Sequence, residues 1–225
     1  FNEANRDLLG LVESRKFKLK RVPYGEESYT INNLRWRNYH LFWSVRHAIN
    51  ATSPGSKNFI ECGVEDGLST YFTIRAAIFE SCDQSKFFLY DSWESMREDG
   101  LTTTEKGAGL VGQYSYLDVD DTKSNLADFK EMTVFNPGFL PDSFEKSENP
   151  TDSVWIHIDL NSAQPTLDAL QYFYEGLKPG GVIIFDDYAW NSYRDTKKIV
   201  DDFFASTNGS NLSLPTGQAI YFKHT

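Results

Sequence analysis

Apolar positions along the chain follow two patterns, short continuous runs and longer stretches in which they recur at helical spacing. The short runs predict buried strands over residues 58–62, 87–90, 132–135, 154–159 and 182–185. Helical spacing between them predicts helices over 68–80, 120–130, 165–177 and 193–206. A closing strand pair is predicted at 212–214 and 219–223. Apolar strands that alternate with helices are typical of a parallel α/β sheet with helices on both faces.

The connections between these elements carry turn and loop signals. Residues 178–181 contain Pro179 followed by two glycines, which predicts a tight turn. Residues 92–116 are glycine-rich and irregular, a composition typical of a lid or binding loop. Residues 137–147 predict a second loop. In parallel α/β sheets, ligands bind beyond the carboxyl ends of the strands, so these loops border the expected site.

The first fifty residues predict helices over 2–16 and 33–49, with Asn32 or Asn33 capping the second one. Residues 53–56 then break the chain with the sequence Ser-Pro-Gly-Ser. We therefore predict a helical N-terminal cap over residues 1–52 and an α/β core over 53–225, which together form a single domain. This cap and the 92–116 loop are the segments expected to shape an acceptor pocket.

Charge and composition exclude several classes of partner. The formal net charge is −10 at pH 7, which argues against nucleic acid and against an anionic membrane surface as partners. No apolar run approaches the roughly 18 residues that a membrane span needs. The two cysteines, Cys62 and Cys82, predict reduced thiols and a cytoplasmic location rather than a disulfide framework.

Acidic residues stand at the ends of four predicted strands. They are Glu61, Asp91, Asp159, Asp186 and Asp187. A single one of them could be a solvated strand end or a helix cap. Carboxylates gathered at one edge raise one another's pKa unless a cation or hydrogen-bond donors compensate, so the set together predicts a functional site.

The first of these strand ends leads into a glycine loop. Gly63 and Gly67 form a G-x-x-x-G turn between strand and helix, and glycine permits close backbone approach to a ligand. A dinucleotide fingerprint would be G-x-G-x-x-G, but Glu65 stands at the middle position and Asp66 follows. Two acids would repel a pyrophosphate, which disfavours a hydride-transferring enzyme. Asp91, about twenty-four residues later, is a candidate to hold ribose hydroxyls.

Several segments resemble known sequences. Residues 61–69, 90–93 and 138–142 look like the S-adenosylmethionine-binding segments of class I methyltransferases. The segments 157–159, 166–170, 177–181 and 186–188 are similar to those of the macrocin and mycinamicin sugar O-methyltransferase family. The resemblance runs from about residue 34 to 223. It implies a Rossmann-like seven-stranded class I methyltransferase sheet whose last strand is antiparallel.

The resemblance also implies roles for individual residues. The cofactor-binding set that it implies is Glu61, Gly63, Val64, Gly67, Ser69, Asp91, Ser92, Trp93, Phe139 and Asp159. The metal-binding set is Asp159, Asp186 and Asp187, which in the family hold a divalent ion, usually Mg²⁺. Oxygen ligands favour Mg²⁺, Mn²⁺ or Ca²⁺, and such an ion stabilises a developing alkoxide.

Two positions depart from the family pattern. The family carries Asp-x-Asp-x-Tyr where this chain has Asp159, Asn161 and Ala163. The same Asp-x-Asn pattern, and the Leu-Pro-Thr-Gly-Gln sequence at 214–218, are similar to a polysaccharide-cluster branch of the family. These departures move the expected acceptor away from macrolides.

We therefore predict transfer of a methyl group from S-adenosylmethionine to a hydroxyl of a sugar or glycosylated small molecule, assisted by a divalent metal ion. Candidates for the base and other catalytic roles are His157, Asp159 and Asp187, although His157 could equally be a core histidine bonded to backbone. Two alternatives are a metal-independent small-molecule methyltransferase and a non-catalytic nucleoside-binding domain, which Asn161 and Ala163 would favour. Aromatic residues around much of the 33–49 helix predict a homodimer.

Overall fold

The structure is a computed structural model that describes residues 1–23, 25–55 and 57–224. Its helices are α1 Asn2–Glu13, α2 Glu27–Asn33, α3 Arg35–Ala51, α4 Leu68–Phe79, α5 Thr103–Gly107, α6 Val119–Asn125, α7 Ala163–Phe173 and α8 Arg194–Phe204. Its strands are β1 Asn58–Cys62, β2 Lys86–Asp91, β3 Thr133–Pro137, β4 Ser153–Ile158, β5 Leu177–Phe185, β6 Gly209–Ser213 and β7 Ala219–Lys223. Short 3-10 turns cover Ala127–Phe129, Asp142–Lys146 and Asn191–Tyr193.

The strands form one seven-stranded sheet in the order β3-β2-β1-β4-β5-β7-β6. Strands β1 to β5 are parallel to one another, whereas β7 pairs antiparallel with both β5 and β6. The order reverses between β1 and β4, which is the switch point where ligands bind in such sheets. The predicted seven-stranded fold with an antiparallel last strand is confirmed.

Alternate residues of the strands enter two different hydrophobic layers. Phe59 and Trp155 pack with residues of α1, α3 and α4, whereas Ile60 and Ile156 pack with residues of α7 and α8. Because side chains alternate along a strand, a run that is apolar throughout must be covered on both faces. The prediction of helices on both faces is confirmed.

The N-terminal helices share the first of these layers, with Leu8 of α1 and Phe42 of α3 both buried there. Helix α2 was not predicted, and the predicted capping role of Asn32 or Asn33 is wrong, since these residues lie at the end of α2. Only Leu34 separates α2 from α3, and among the described residues no side chain caps the start of α3. Backbone bonds from Leu34 N–H to Thr30 O and from Asn38 N–H to Leu34 O satisfy this junction instead. The division at residue 52 follows the end of α3 and stays a prediction.

Three other predicted segments, a turn, a helix and a loop, differ from the structure. Residues 178–181 lie inside β5 as a bulge, because the register passes from Ser153↔Leu177 to Trp155↔Val182. The predicted 120–130 helix ends at Asn125, and a 3-10 turn follows it. The predicted irregular loop 92–116 contains α5, whose start is fixed by a capping box between Thr102 and Glu105.

Within the described part of the chain, no helix combines the length and apolarity required to span a membrane.

Candidate functional site

A cavity of about 490 Å³ opens at the carboxyl ends of the parallel strands. Helix α3 and the segment that follows β2 contribute to its walls through residues such as Arg37, Leu41, Met96 and Tyr114. Most of the predicted site residues line it, namely Gly63, Val64, Ser69, Asp91, Ser92, Phe139, His157, Asp159, Asp186 and Asp187. Glu61, Gly67 and Trp93 do not line it.

Gly63 allows the end of β1 to lie against the end of β4. Its φ is +88°, and a Cβ built there would stand 1.9 Å from the carbonyl oxygen of Asp159. Real Cβ atoms never approach backbone so closely, so only glycine fits without a backbone shift. This close approach brings the first loop and Asp159 to the same wall of the cavity.

The Asp91 carboxylate holds this loop in place. Its Oδ2 accepts hydrogen bonds from the N–H groups of Val64 (2.7 Å) and Glu65 (3.0 Å), and its Oδ1 accepts one from the N–H of Trp93 (2.8 Å). Burial raises the pKa of Asp91, while these backbone donors oppose that rise. Asp91 is therefore a structural support for the loop, and its predicted contact with ribose stays a prediction.

The three predicted residues that lie off the cavity support it from behind. Trp93 is buried, and its Nε1–H donates to Glu65 O (3.2 Å) and Thr122 Oγ1 (3.0 Å). Gly67 precedes α4 with a φ of +84°. Glu61 of β1 is buried against α4, where it contacts Ser69, Thr70 and, on β4, His157. Resemblance to a motif identifies a loop but does not distinguish residues that face a ligand from residues that shape the loop.

Asp159 and Asp187 both line the cavity, and Asp187 is buried whereas Asp159 is half-buried. The charge of Asp159 is close enough to act on the Asp187 carboxyl group. Burial, and then the charge of Asp159, raise the pKa of Asp187 well above its usual value. Asp187 Oδ2 is buried and has no hydrogen-bond partner among the described residues. Two adjacent carboxylates of this kind can share a proton or can bind a cation.

Asp186 is engaged by residues that the sequence analysis did not identify. Arg37 of α3 forms an ion pair with its carboxylate and also donates to its backbone oxygen (3.3 Å). The Gln218 side-chain amide donates to Asp186 Oδ1 at 2.6 Å. The 214–218 sequence had been noted only as a resemblance, and nothing in helical spacing distinguishes Arg37 from a solvated residue.

His157 lies on the floor of the cavity, next to Glu61 on the neighbouring strand. Its Nδ1 is 3.0 Å from Glu61 Oε1, so the alternative of a backbone-bonded core histidine is not what the structure has. Within the described residues, ligand atoms from His157, Asp159 and Asp186 lie within 4.8 Å of one another and could hold a metal ion. This group includes His157 in addition to two residues of the predicted metal set.

Aromatic side chains border the carboxylates from other elements. Tyr114 lines the cavity, and burial, followed by the charge of Asp159, raises its pKa. The Tyr193 hydroxyl donates to Asn161 Oδ1 (2.7 Å), and Asn161 Nδ2 donates to Asp159 Oδ1 (3.3 Å). Thus Asn161 links a tyrosine to Asp159, even though position 163 itself is alanine. At the far end of the cavity, the Arg97 guanidinium lies 3.7 Å over the ring of Phe139.

Comparisons with known proteins agree with this arrangement. NovP, an O-methyltransferase, has a TM-score of 0.69 and 19% identity, over 84% of this chain and 80% of NovP. The calicheamicin methyltransferase CalS11 has a TM-score of 0.62 and 13% identity, over 97% of this chain and 91% of CalS11. These likenesses establish the class I methyltransferase fold.

At the sequence level, a Streptomyces olivaceus protein is 27% identical over 195 residues, which are 83% of this chain and 72% of that protein. It is named 8-demethyl-8-(2,3-dimethoxy-alpha-L-rhamnosyl)-tetracenomycin-C 4'-O-methyltransferase. The profile of the macrocin-O-methyltransferase (TylF) family matches residues 28–218, which are most of the chain. Membership of this family supports S-adenosylmethionine as the methyl donor. The chain belongs to the macrocin-O-methyltransferase family and is an O-methyltransferase.

Proposed function

We propose that this enzyme methylates a hydroxyl of a sugar carried by a small molecule, with help from a divalent metal ion. The relatives support the sugar acceptor, since one is named for a rhamnosyl group of tetracenomycin C and another, CalS11, is described as a TDP-rhamnose 3'-O-methyltransferase. The observation that carries the proposal is the pair of neighbouring carboxylates, half-buried Asp159 and buried Asp187, in a cavity next to the glycine loop.

The proposed donor site runs along the loop after β1. Gly63, Val64 and Ser69 line the cavity there, and we expect them to contact the methionine part of S-adenosylmethionine. Asp91 and Ser92 would lie beside the ribose, and Phe139 beside the adenine. Glu61, Gly67 and Trp93 would act through the shape of the loop rather than by contact.

The residues present fit a divalent metal. Asp159, Asp186 and Asp187 offer hard oxygen atoms, and the buried Oδ2 of Asp187 lacks a partner among the described residues. A cation would remove the need for Asp159 and Asp187 to share a proton. Mg²⁺ and Mn²⁺ both accept such oxygen ligands. When bound, the ion would lower the pKa of an acceptor hydroxyl and orient it.

The chain's own residues would do the remaining work. The walls from α3 and from the segment after β2 exclude water and position the sugar beside the donor methyl group. Such positioning can lower the barrier to methyl transfer by roughly several kcal/mol. Removal of the hydroxyl proton needs a base. Asp187 is our first candidate, because its side chain lines the cavity next to Asp159. Asp159 and His157 remain the other candidates.

Calorimetry and a methyl-transfer assay would test this function. We expect S-adenosylhomocysteine to bind with micromolar affinity, and mass spectrometry to detect one added methyl group on a nucleotide-linked deoxysugar or on a glycosylated small molecule. EDTA should abolish turnover, and Mg²⁺ or Mn²⁺ should restore it. An Asp186→Ala, Asp187→Ala double variant should still bind S-adenosylhomocysteine but lose turnover. If S-adenosylhomocysteine does not bind to the wild type, the donor site is wrong.

One observation favours the alternative, a metal-independent methyltransferase. The ion pair between Arg37 and Asp186 already places a positive charge at the carboxylates. In that case, turnover would persist in EDTA, whereas Arg37→Met would abolish it. Loss of turnover in EDTA, with activity of Arg37→Met at high Mn²⁺, would support the metal-assisted reaction instead.

We also propose a cytoplasmic homodimer that does not act on nucleic acid. The net charge of −10 supports the last point. Trp36, Tyr39 and Trp43 are partly or largely exposed along one side of α3, where a second copy could cover them.

A further inference from the structure

His157 and Glu61 form a buried pair beneath the carboxylates. The two residues are register partners on β4 and β1, and their side chains are 1% and 0% exposed. Glu61 is fully engaged, because the hydroxyls of Ser69 and Thr70 each donate to it at 2.5 Å in addition to its contact with His157. Glu61 is thus held as an acceptor for the His157 Nδ1–H, which leaves the lone pair of the ring on Nε2.

The Nε2 atom has no hydrogen-bond partner among the described residues. A buried polar atom without a partner is costly, so the unpartnered Nε2 needs an explanation. The atom is 3.8 Å from Asp186 Oδ1, and the side chain lines the cavity. Two atoms bound to one ion, each at about 2.1 Å, lie at most about 4.2 Å apart, so 3.8 Å fits a shared ion.

We propose that His157 Nε2 is a nitrogen ligand of the metal ion, together with Asp159 and Asp186, and that Glu61 is the positioning residue that orients it. This inference rests on the metal assistance in the proposed function. A carboxylate that accepts from the far nitrogen of a ligating histidine is a common support in metal sites. Gln218 already donates to Asp186 Oδ1, but a carboxylate oxygen has a second lone pair available.

Two consequences follow from a nitrogen ligand. Imidazole binds transition-metal ions better than Mg²⁺, so the site should prefer Mn²⁺ to Mg²⁺. In addition, a ligated Nε2 has no lone pair for a proton, which removes His157 from the candidates for the base. Asp187 and Asp159 then remain.

Pulsed EPR on the full chain loaded with Mn²⁺ alone tests this directly. We expect ¹⁴N modulation from a bound imidazole, and we expect it to change to the ¹⁵N pattern when the protein is produced with ¹⁵N-labelled histidine. This labelled wild type needs no substitution, so the test does not depend on whether a variant folds. His157→Gln should lose the signal, whereas the control His47→Gln, at a histidine that packs on Trp43 and Phe222, should keep it.

Affinity gives a second readout. Glu61→Gln should keep the nitrogen signal but bind Mn²⁺ about 10- to 100-fold more weakly, as expected when such a support is lost. Circular dichroism and S-adenosylhomocysteine binding would establish that each variant is folded. Mn²⁺ binding without nitrogen modulation in the wild type would overturn the inference and leave metal assistance standing. If Mn²⁺ does not bind at all, the metal in the proposed function fails as well.

Discussion

Gly63 and Asp91 are two residues whose chemistry the sequence indicated but whose contacts it did not. Gly63 was singled out for a sharp turn, and the structure adds that it makes room for the Asp159 carbonyl. Asp91 was singled out as a ribose ligand, and the structure adds that it accepts three backbone hydrogen bonds. In both cases the sequence identified a residue of the site, whereas its contacts in the structure are with other segments.

Substitution of Gly63 by alanine should disrupt the site. The Cβ would collide with backbone rather than with a flexible side chain, and the left-handed φ alone costs about 1–2 kcal/mol. We expect Gly63→Ala to lower the free energy of unfolding by at least this amount, about 1–2 kcal/mol, and to weaken S-adenosylhomocysteine binding more than tenfold. Urea unfolding and calorimetry would measure both quantities.

Gly10→Ala is the matched control, because among the described residues nothing lies within 4 Å of its new Cβ, and Gly10 is in α1. It should stabilise the protein slightly, by about 0.5–1 kcal/mol. Equal stability losses in both variants would contradict the role given to Gly63.

Asp91→Asn should loosen the first loop. An amide nitrogen cannot accept the hydrogen bonds that the carboxylate now accepts, and an unsatisfied buried donor costs about 1–3 kcal/mol. We expect weaker S-adenosylhomocysteine binding and faster hydrogen exchange at the N–H groups of Val64 and Glu65. Asp99→Asn, at an exposed carboxylate that also lines the cavity, should change neither quantity. Unchanged exchange in Asp91→Asn would mean that the loop is held by other contacts.

At the scale of elements, α3 and α5 complete a site whose chemistry lies on the strands. Helix α3 brings Arg37 to Asp186, although the two are far apart in sequence. Helix α5 brings Glu105 to the start of α7, where its carboxylate accepts from the N–H of Ala163 (2.7 Å) and also from that of Thr102 (2.8 Å). The sequence predicted an irregular loop here, so the cap that this loop supplies to α7 was not anticipated.

Glu105→Ala should therefore destabilise α7 and the segment after β2 together. Loss of a helix cap costs about 0.5–2 kcal/mol, and this buried carboxylate has two backbone donors to satisfy. We expect a loss near the upper end of that range in urea unfolding, and a higher KM for the acceptor. Glu98→Ala removes an exposed glutamate of the same segment and should change stability by less than about 0.5 kcal/mol. Similar losses of unfolding free energy in the two variants would show that Glu105 does not stabilise the start of α7.

The whole molecule presents an aromatic surface on α3, formed by side chains that do not line the cavity. Trp36 is 67% exposed, and Tyr39 and Trp43 lie one and two turns further along α3. Contiguous exposed apolar side chains on a folded domain often mark an interface. We therefore predict that this surface is the contact of the homodimer expected from the sequence.

If α3 is the dimer contact, Trp36→Glu should place a charge in the interface and shift the protein to a monomer. Sedimentation velocity at micromolar concentration would measure this. Val111→Glu adds the same charge at another exposed apolar position and should leave the dimer intact. A wild type that sediments as a monomer would refute the dimer.

The strands, the helical layers that cover them and the acidic residues at the strand ends could all be predicted from the chain. Continuous apolar runs require strands covered on both faces, and the chain order of strands and helices then restricts the topology to few alternatives. The family resemblance likewise depended only on local motifs. These properties follow from local periodicity and composition, which are written directly in the chain.

Which residues face the cavity and which support it is evident only from the three-dimensional structure. Arg37 and Gln218 reach Asp186, and Glu61 reaches His157, because separate elements meet at one edge of the sheet. The start of α7 also lies at Ala163 rather than at Pro165, where the N–H of Ala163 donates to Glu105, a residue distant in sequence. Such contacts depend on how elements cross, and this is set by packing over the whole core rather than by any local pattern.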